Sequence, residues 1–273
     1  MTTSTPPPLR YDKHAGIATI TFDRPEARNA LTPEMICRLA DAFMDFAAND
    51  DLRVAILTGS GDKAFCAGGD LGLTLPLMTG ARAPADDWDR RVIDDPRVAA
   101  ASQLRGFALD KPVIAAVNGA CLAAGTELLL ATDIRVASER ATFGLPEVTR
   151  GLVPFAGSMV RLPRQIAWSQ AMELMLTGAT ITAQEAHRIG LVNHVVAAAD
   201  LMAKAGEIAQ RIARNGPLAV RAIKRTALAT SGIDLDAAYR LEDAAWQTVL
   251  ASDDAKEGPR AFIEKRPPRF TGA

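Results

Sequence analysis

The chain has 273 residues, which allows one large domain or a main body with an appended region. Apolar residues make up 48% and charged residues 23%, a composition that excludes a fibre or a wholly disordered chain. The 31 lysines and arginines nearly balance the 32 aspartates and glutamates, so no strong positive field favours nucleic-acid binding.

The N-terminal part of the chain predicts a loose tail followed by a strand and a helix. Residues 1–10 contain three consecutive prolines and lack an apolar core, so we expect a disordered tail and no secretory signal. Residues 16–22 are β-branched and aromatic and predict a strand ending in a turn at residues 23–25. A helix is predicted from Thr32, which can cap the first turn, because apolar residues then recur on one face up to Asn49.

Predicted strands dominate the first half of the chain and predicted helices the second. Further apolar runs predict buried strands at residues 54–57, 112–117 and 134–137. Helical periodicity follows at residues 168–177, 182–189, 200–214, 217–230 and 234–250. This order predicts an α/β body over residues 11–200 and a helical region over residues 201–273. Such appended regions often pack on a neighbouring subunit, so we expect self-association.

Residues 72–110 predict a long excursion between two core strands. They contain three separated prolines and a mixture of acidic and basic residues. Long loops of this kind often shape a binding site, so the excursion is a candidate wall of a pocket.

Common catalytic and metal-binding signatures are missing from the sequence. There is no nucleophile elbow, zinc-protease motif or P-loop, and the three histidines are scattered. Residues 59–64 fit a permissive dinucleotide-binding pattern, but a loop follows where that pattern requires a helix, which disfavours nicotinamide binding. The three cysteines lie far apart with no CxxC pair, so we expect neither disulfides nor a metal site, and a reducing, cytoplasmic location.

Two runs of small residues each follow a predicted buried strand. Residues 64–70 and 118–125 carry side chains small enough for a ligand to approach the backbone N–H groups. The second run leads into an apolar helix, whose first amides have no intrahelical acceptors. A tight turn explains either run alone, but together the two runs could bind one oxyanion.

Two glutamates stand near these runs. Glu127 lies between small residues and three leucines, where an unpaired charge would be costly to bury. Glu147 follows another predicted strand and a proline-marked turn, and alone it fits a solvated helix cap. If the fold brings both carboxylates to the two backbone donor sites, they form an acid/base pair suited to proton transfer next to a carbonyl.

Several separated motifs resemble the crotonase superfamily of enoyl-CoA hydratases and isomerases, over residues 17–272. The motifs occur at residues 23–31, 65–70, 111–119, 143–147 and 264–270. The resemblance implies an α/β fold, a spiral of ββα units with a C-terminal helical region that builds trimers or dimers of trimers. It also implies a coenzyme A thioester substrate and no metal or redox cofactor.

The resemblance also implies roles for individual residues. The backbone N–H groups of Ala67 and Ala124 would bind the thioester oxygen. Glu127 would activate water for attack at the β-carbon, and Glu147 would move the proton of the α-carbon. Contacts to the substrate or to coenzyme A are implied for Arg24, Arg28, Lys63, Ala64, Gly68, Gly69 and Asp70, and from a neighbouring subunit for Lys265 and Phe270.

The chain departs from the family pattern in two places. Ala123 and Ala124 stand where hydratases usually have consecutive glycines, and the excursion is longer than in compact hydratases, so we expect a reshaped acyl pocket. Alternative functions are a carnitinyl-CoA dehydratase, or an isomerase, hydrolase or decarboxylase of the same fold that uses one of the glutamates. A non-catalytic acyl-CoA-binding protein is a third alternative. No membrane or nucleic-acid partner is expected.

Overall fold

In the computed structural model, which describes residues 6–273, two β-sheets are joined and covered by helices. The strands of the six-stranded sheet are, in spatial order, β1 (Leu9–His14), β2 (Ile17–Phe22), β3 (Val54–Gly59), β5 (Val113–Val117), β7 (Ile134–Ser138) and β10 (His194–Val196). Those of the four-stranded sheet are β4 (Ala64–Cys66), β6 (Ala120–Leu122), β8 (Thr142–Gly144) and β9 (Thr180–Thr182). The β1/β2 and β8/β9 pairs are antiparallel, and the other neighbours pair in parallel.

The helices lie between and after these strands. They are α1 (Pro33–Ala48), α2 (Thr74–Met78), α3 (Asp87–Asp94), α4 (Pro96–Ser102), α5 (Ala124–Leu129), α6 (Ser158–Gln165), α7 (Trp168–Thr177), α8 (Ala183–Arg188), α9 (Leu201–Ala213), α10 (Pro217–Ala229), α11 (Leu235–Leu250) and α12 (Asp253–Ile263). Short 3-10 helices occupy Pro25–Ala27, Pro146–Arg150 and Ala198–Asp200. Within residues 6–273, every helix is too short or too polar to span a membrane.

The main sheet begins earlier than the sequence predicts. Leu9 and Arg10 pair with Phe22 and Thr21, and Leu9 is buried, so the predicted tail over residues 1–10 is too long. Strand β1 was not predicted from the sequence, because it lies at the edge of the sheet and its side chains are mostly exposed and polar. Residues 1–5 of that predicted tail lie outside the described residues.

Helix α1 forms as its sequence predicts. The Thr32 hydroxyl accepts a hydrogen bond from the Met35 amide at 3.2 Å, and the helix ends at Asn49. Its apolar face, which includes Phe43 and Phe46, is fully buried. The buried Lys111 ammonium donates to the carbonyl groups of Phe46 (3.0 Å) and Asn49 (2.6 Å), which satisfies the end of the helix.

The excursion between β4 and β5 is helical, and the prediction of a loop there was wrong. It contains α2, α3 and α4. The Asp86 and Asp95 side chains cap α3 and α4, and Pro96 occupies the first turn of α4, where a proline has no hydrogen bond to lose. Val98 and Ala101 of α4 are buried against α1. One of the three prolines, Pro96, therefore marks the start of a helix and not a break in the chain.

The C-terminal helices divide into two groups. Helix α9 covers the main sheet, because Leu201, Ala205 and Ala209 share a buried cluster with residues of β3, β5 and β7. Helix α11 packs mainly on α10 and buries none of its residues. The region that leaves the sheet therefore begins after α9, at α10, and the division of the chain at residue 200 stays a prediction.

Candidate active site

A cavity of about 240 Å³ opens where the residues after β4 and β6 face the excursion helices. Its floor is formed by Ala67, Gly69, Ala123 and Ala124. Helices α1 to α4 contribute an uncharged wall: Ile36, Leu39, Thr74, Leu75, Met78, Val92, Val98, Ala99 and Ser102. The charged side chains among its lining residues are Glu127, Glu147 and Arg150. The cavity thus joins a mainly apolar chamber to two carboxylates, and small-molecule sites commonly combine apolar walls with a few placed polar groups in this way.

Glu127 projects from α5 into this cavity and is held by backbone amides. It is 2% exposed, and its Oε1 accepts hydrogen bonds from the Ala156 amide at 2.7 Å and the Ser158 amide at 3.2 Å. Burial raises the pKa of the Glu127 carboxyl, although these two hydrogen bonds lower it. The amides fix the direction of the carboxylate and leave it able to act as a base.

Glu147 approaches the same cavity from the 3-10 helix at Pro146–Arg150 and has a different environment. Its Oε2 is buried and has no hydrogen-bond partner within residues 6–273. Burial, together with the negative charge of Glu127, raises the pKa of Glu147 to about 7. At neutral pH the carboxyl is therefore present in both protonation states, which suits a group that gives and takes a proton.

Two backbone amides at the floor of the cavity make no hydrogen bond within the described residues. Ala124 is the first residue of α5, where an amide has no intrahelical acceptor. The Gly69 amide is also unused, because the bridge between Leu31 and Gly69 employs the flanking Gly68 carbonyl and Asp70 amide instead. These two amides can bind a negatively charged oxygen.

The predicted donor Ala67 does not fit this role. Its amide already donates to the Arg28 carbonyl at 3.1 Å. The structure thus moves the first candidate donor from Ala67 to Gly69, two residues along the chain. Successive backbone amides along this segment point to opposite sides. Because the Asp70 amide points toward Leu31, the Gly69 amide before it points the other way, into the cavity.

The two donor segments touch each other closely. Gly68 has φ +106°, and a β-carbon at this position would lie 2.7 Å from Ala123 Cβ and 3.6 Å from the Ala124 nitrogen. Ala123 itself has φ 50° and ψ −126°, a conformation that glycine adopts more easily. The expected departure from the glycine pattern is therefore accommodated with backbone strain, and Ala123 lines the cavity.

Known proteins resemble this chain over nearly its whole length. The family profile described as enoyl-CoA hydratase/isomerase matches residues 12–273. The chain is 43% identical to enoyl-CoA hydratase EchA19 of Mycobacterium tuberculosis, over 97% of this chain and 96% of the relative. It is 40% identical to carnitinyl-CoA dehydratase of Salmonella typhi, over 97% and 98%. The crystal structure of enoyl-CoA hydratase from Bacillus anthracis superimposes with a TM-score of 0.87 at 38% identity, covering 97% of this chain and all of that one.

The chain belongs to the enoyl-CoA hydratase/isomerase family. The predicted crotonase family, fold class and enzyme class are confirmed. The family's members in the comparisons span the whole of the α/β body and the C-terminal helices. The roles of individual residues in this hydratase/isomerase stay predictions.

Several residues predicted to bind substrate are engaged within the hydratase/isomerase fold. The Arg24 guanidinium pairs with Asp70 at 2.6 Å, and Asp70 also accepts the amides of Gly72 and Leu73. Burial raises the pKa of Asp70, but the hydrogen bond from Arg24 holds it below its usual value. The Ala64 carbonyl accepts side-chain amides from Asn29 and Asn118. These contacts hold the loop in shape and do not line the cavity.

The remaining predicted contact residues lie on the surface or away from the cavity. Arg28 and Lys63 are exposed. Lys265 is exposed, and the Phe270 ring packs against Gly216 and Gly258 of its own chain. Neither Lys265 nor Phe270 lines the cavity, so within one subunit they are separate from the two glutamates.

The segment that holds Glu127 was not predicted from the sequence. Ala156 and Ser158 act through their backbone amides, which any residue type supplies. The available signal was Gly157, whose φ of +123° requires glycine. Arg150, which lines the cavity, was also missed, because a lone arginine beside Glu147 fits an ordinary solvated surface. No cluster of three metal-ligating side chains occurs within the described part of the chain.

Replacing Gly68 by alanine is expected to reduce kcat/KM by about 100-fold, because the new methyl must push the two donor segments apart. The control is Gly190→Ala, which has a similar positive φ but, among residues 6–273, no atom within 4 Å of the new methyl. Steady-state kinetics on both variants compares a crowded glycine beside the donor amides with an uncrowded glycine outside the cavity lining. Equal activities in the two variants would contradict the importance of this contact.

Proposed function

We propose that the protein adds water to the double bond of a 2-enoyl-CoA thioester, using Glu127 and Glu147. The observation that carries the proposal is the pairing of two unlike carboxylates in one apolar cavity. Glu127 is fixed by two amides, whereas Glu147 has an unpartnered buried oxygen and a pKa of about 7. The unused amides of Gly69 and Ala124 share that cavity.

In the proposed reaction, Glu127 accepts a proton from water as the water oxygen bonds to the β-carbon. The electron pair of the double bond moves toward the thioester carbonyl, whose oxygen becomes negative. The amides of Gly69 and Ala124 stabilise this oxygen, and the loss of one such donor costs about 3 kcal/mol in other enzymes. Glu147 then gives its proton to the α-carbon and the carbonyl reforms. The steps balance without a redox change, so we propose no cofactor.

The character of the cavity supports an uncharged acyl chain as the substrate class. The side chains that α1 to α4 contribute carry no charge and no aromatic ring. A carnitinyl group ends in a quaternary ammonium ion, which carboxylates or aromatic faces bind best. In the cavity such groups are Glu127, Glu147 and Phe155, and none of them lies on the wall that α1 to α4 contribute. Carnitinyl-CoA dehydration, for which one relative is named, is therefore the second candidate function.

The test is the loss of enoyl-thioester absorbance when the purified protein meets crotonyl-CoA and longer 2-enoyl-CoAs. We expect rapid loss, with a preference among chain lengths set by the walls of the cavity. Tight binding of these thioesters without turnover would contradict the proposal and support a non-catalytic acyl-CoA-binding protein. Migration of a 3-enoyl double bond without hydration would instead support an isomerase.

The pH dependence of kcat/KM is expected to be bell-shaped, because the pair of glutamates must hold one proton in total. Loss of that proton sets the alkaline limb, which we expect near pH 7 from the raised pKa of Glu147. Hydration leaves the same single proton on the pair, so dehydration of a 3-hydroxyacyl-CoA should give the same profile. A value of kcat/KM that rises steadily from pH 6 to pH 9 would contradict this assignment.

We also propose that Arg28 and Lys63 bind the coenzyme A phosphates. Both cations are exposed, whereas Arg24 is engaged by Asp70. Loss of both positive charges is expected to raise KM for the acyl-CoA and to leave kcat unchanged. An unchanged KM would rule these residues out.

A trimer or dimer of trimers is proposed from the C-terminal helices. Helices α10 and α11 expose large apolar side chains: Ile223, Leu228, Leu235, Tyr239, Leu241, Trp246 and Leu250. Covering them with a second copy would remove apolar area from water and could bring a neighbour's Lys265 and Phe270 to the coenzyme A site. Sedimentation at the mass of one 29.0 kDa chain would contradict this.

Three free, buried cysteines support the cytoplasm as the proposed location.

A further inference from the structure

The position of Glu127 depends on a short segment that has little support of its own. Ala156 and Ser158 donate their amides to the carboxylate, and Gly157 lies between them with φ +123°. Gly157 is also the N-cap of α6, and no side chain caps that helix. Without a contact from outside, this glycine would let the two amides turn away from Glu127.

Arg161 supplies such a contact from the next turn of α6. Its Nη1 donates to the Ala156 carbonyl at 3.3 Å and to the Gln103 carbonyl at 3.2 Å, and its Nη2 donates to the Leu104 carbonyl. The guanidinium also fills the space beside Gly157, where a β-carbon would lie 2.8 Å from Nη1. One side chain thus binds both the Glu127-holding segment and the end of the excursion.

The charged groups around this contact include both opposite and like charges. Burial lowers the pKa of Arg161, the charge of Glu127 raises it, and neighbouring Arg105 lowers it. On the other side, Glu147 faces Glu127, and Arg150 lies close enough to Glu147 to lower its pKa. Arg105 also donates to the Phe155 carbonyl at 2.7 Å. Among these groups, Arg161 is the cation whose charge lowers the pKa of Glu127.

We propose that Arg161 is a positioning residue for Glu127: it holds the Ala156 and Ser158 amides on the carboxylate and keeps a positive charge behind it. The inference rests on the proposed function for its effect on catalysis. Two residues at this end of the excursion line the cavity: Ser102, the last residue of α4, and Gln103, which follows it. Arg161 therefore also links the wall of the acyl pocket to the group that activates water.

The kinetic test compares Arg161→Met and Arg161→Lys with Arg164→Met. Arg164 is an exposed arginine of the same helix, and its hydrogen bond in the described part of the chain is to the Val160 carbonyl of that helix, at 2.7 Å. We expect Arg161→Met to lower kcat by at least about 10-fold with KM changed by less than about threefold, because a misplaced catalytic group affects the transition state most. Arg164→Met should match the wild type.

The acid limb of the kcat profile distinguishes positioning from simple loss of structure. Removing the positive charge raises the pKa of Glu127, so the pair takes up a second proton at higher pH and activity is lost earlier on the acid side. We expect the limb of Arg161→Met to move up by about one pH unit. Arg161→Lys keeps the charge with fewer donors, so it should keep the wild-type limb and recover only part of kcat.

Hydrogen exchange gives a readout that does not require turnover. In the full-length protein, the peptide containing residues 156–158 should exchange faster in Arg161→Met than in the wild type or Arg164→Met. If the wild type hydrates no enoyl-CoA, the proposed function fails, yet this exchange still decides the positioning role. Unchanged exchange with an unshifted acid limb would overturn the inference. If Arg161→Met does not fold, the inference is tested on Arg161→Lys. A kcat and an exchange rate in Arg161→Lys equal to those of the wild type would then overturn the inference.

Discussion

Replacing Glu147 by glutamine is expected to reduce hydration of a 2-enoyl-CoA by about 1,000-fold. Glutamine keeps the shape of the side chain, but its amide cannot give a proton to the α-carbon. The free Oε2 and the pKa of about 7 make this carboxyl the group best suited to that step. We expect the loss in kcat rather than in KM, since the cavity walls that bind the acyl chain stay unchanged. Enoyl-thioester absorbance measures it directly.

The control for this variant is Glu139→Gln, the same chemical change at an exposed site after β7. It should retain wild-type activity. Thermal unfolding provides a second control with a defined sign. Because burial raises the pKa of Glu147 from 4.5 to about 7, the stability of the wild type falls as pH rises through this range. Glu147→Gln removes that penalty, so its Tm at pH 8 should equal or exceed that of the wild type. A variant that retained a tenth of the activity would exclude the assigned role.

The parts of the fold that sequence reasoning found are those with long apolar patterns. Helix α7 begins at Trp168 and ends at Thr177 as predicted, and α1 keeps both its predicted cap and its end. The central strands β3, β5 and β7 are fully or almost fully buried, and the continuous apolar runs of β3 and β5 made those two strands visible in the sequence. Each of these elements carries its own signal, in periodicity, capping or burial.

The parts that were missed depend on distant partners. Strands β4, β6, β8, β9 and β10 have three residues each, too few to show a period. They exist because pairing across the four-stranded sheet, and of β10 with β7, supplies hydrogen bonds that the local sequence does not encode. The excursion helices were missed because three prolines were interpreted as breaks, although Pro96 begins α4.

The candidate site divides in the same way. Glu127 could be singled out because a carboxylate in apolar sequence is unusual. Glu147 alone fits a solvated cap and was singled out only as a possible partner of Glu127, and the structure places both in one cavity. The choice of donor amide could not be made correctly, since it depends on two distant contacts: the Arg28 carbonyl accepts the Ala67 amide, and the bridge to Leu31 leaves the Gly69 amide free. The amides of Ala156 and Ser158 leave no mark on the sequence, because the backbone of every non-proline residue supplies one.

Replacing Glu127 by glutamine is expected to reduce hydration by about 1,000-fold and to spare proton exchange at the α-carbon. The neutral amide of glutamine cannot take a proton from water. It also lacks the negative charge that the Ala156 and Ser158 backbone amides stabilise in Glu127. Glu147, by contrast, still lines the cavity, and in the proposed reaction it is the group that moves the α-proton. Incorporation of deuterium at the α-carbon of a saturated acyl-CoA in D₂O measures that ability without any water addition.

The two glutamine variants should therefore differ in a way that assigns each carboxylate. Glu127→Gln should lose hydration and keep exchange, whereas Glu147→Gln should lose both. Exposed Glu173, changed to glutamine, is the matched control and should lose neither. If Glu127→Gln retained most of its turnover, water activation would not depend on this carboxylate, and an enzyme that uses Glu147 alone, such as an isomerase, would explain the site better. A loss of exchange in Glu127→Gln would instead mean that the two carboxylates act as one unit, because the charge of Glu127 helps to raise the pKa of Glu147.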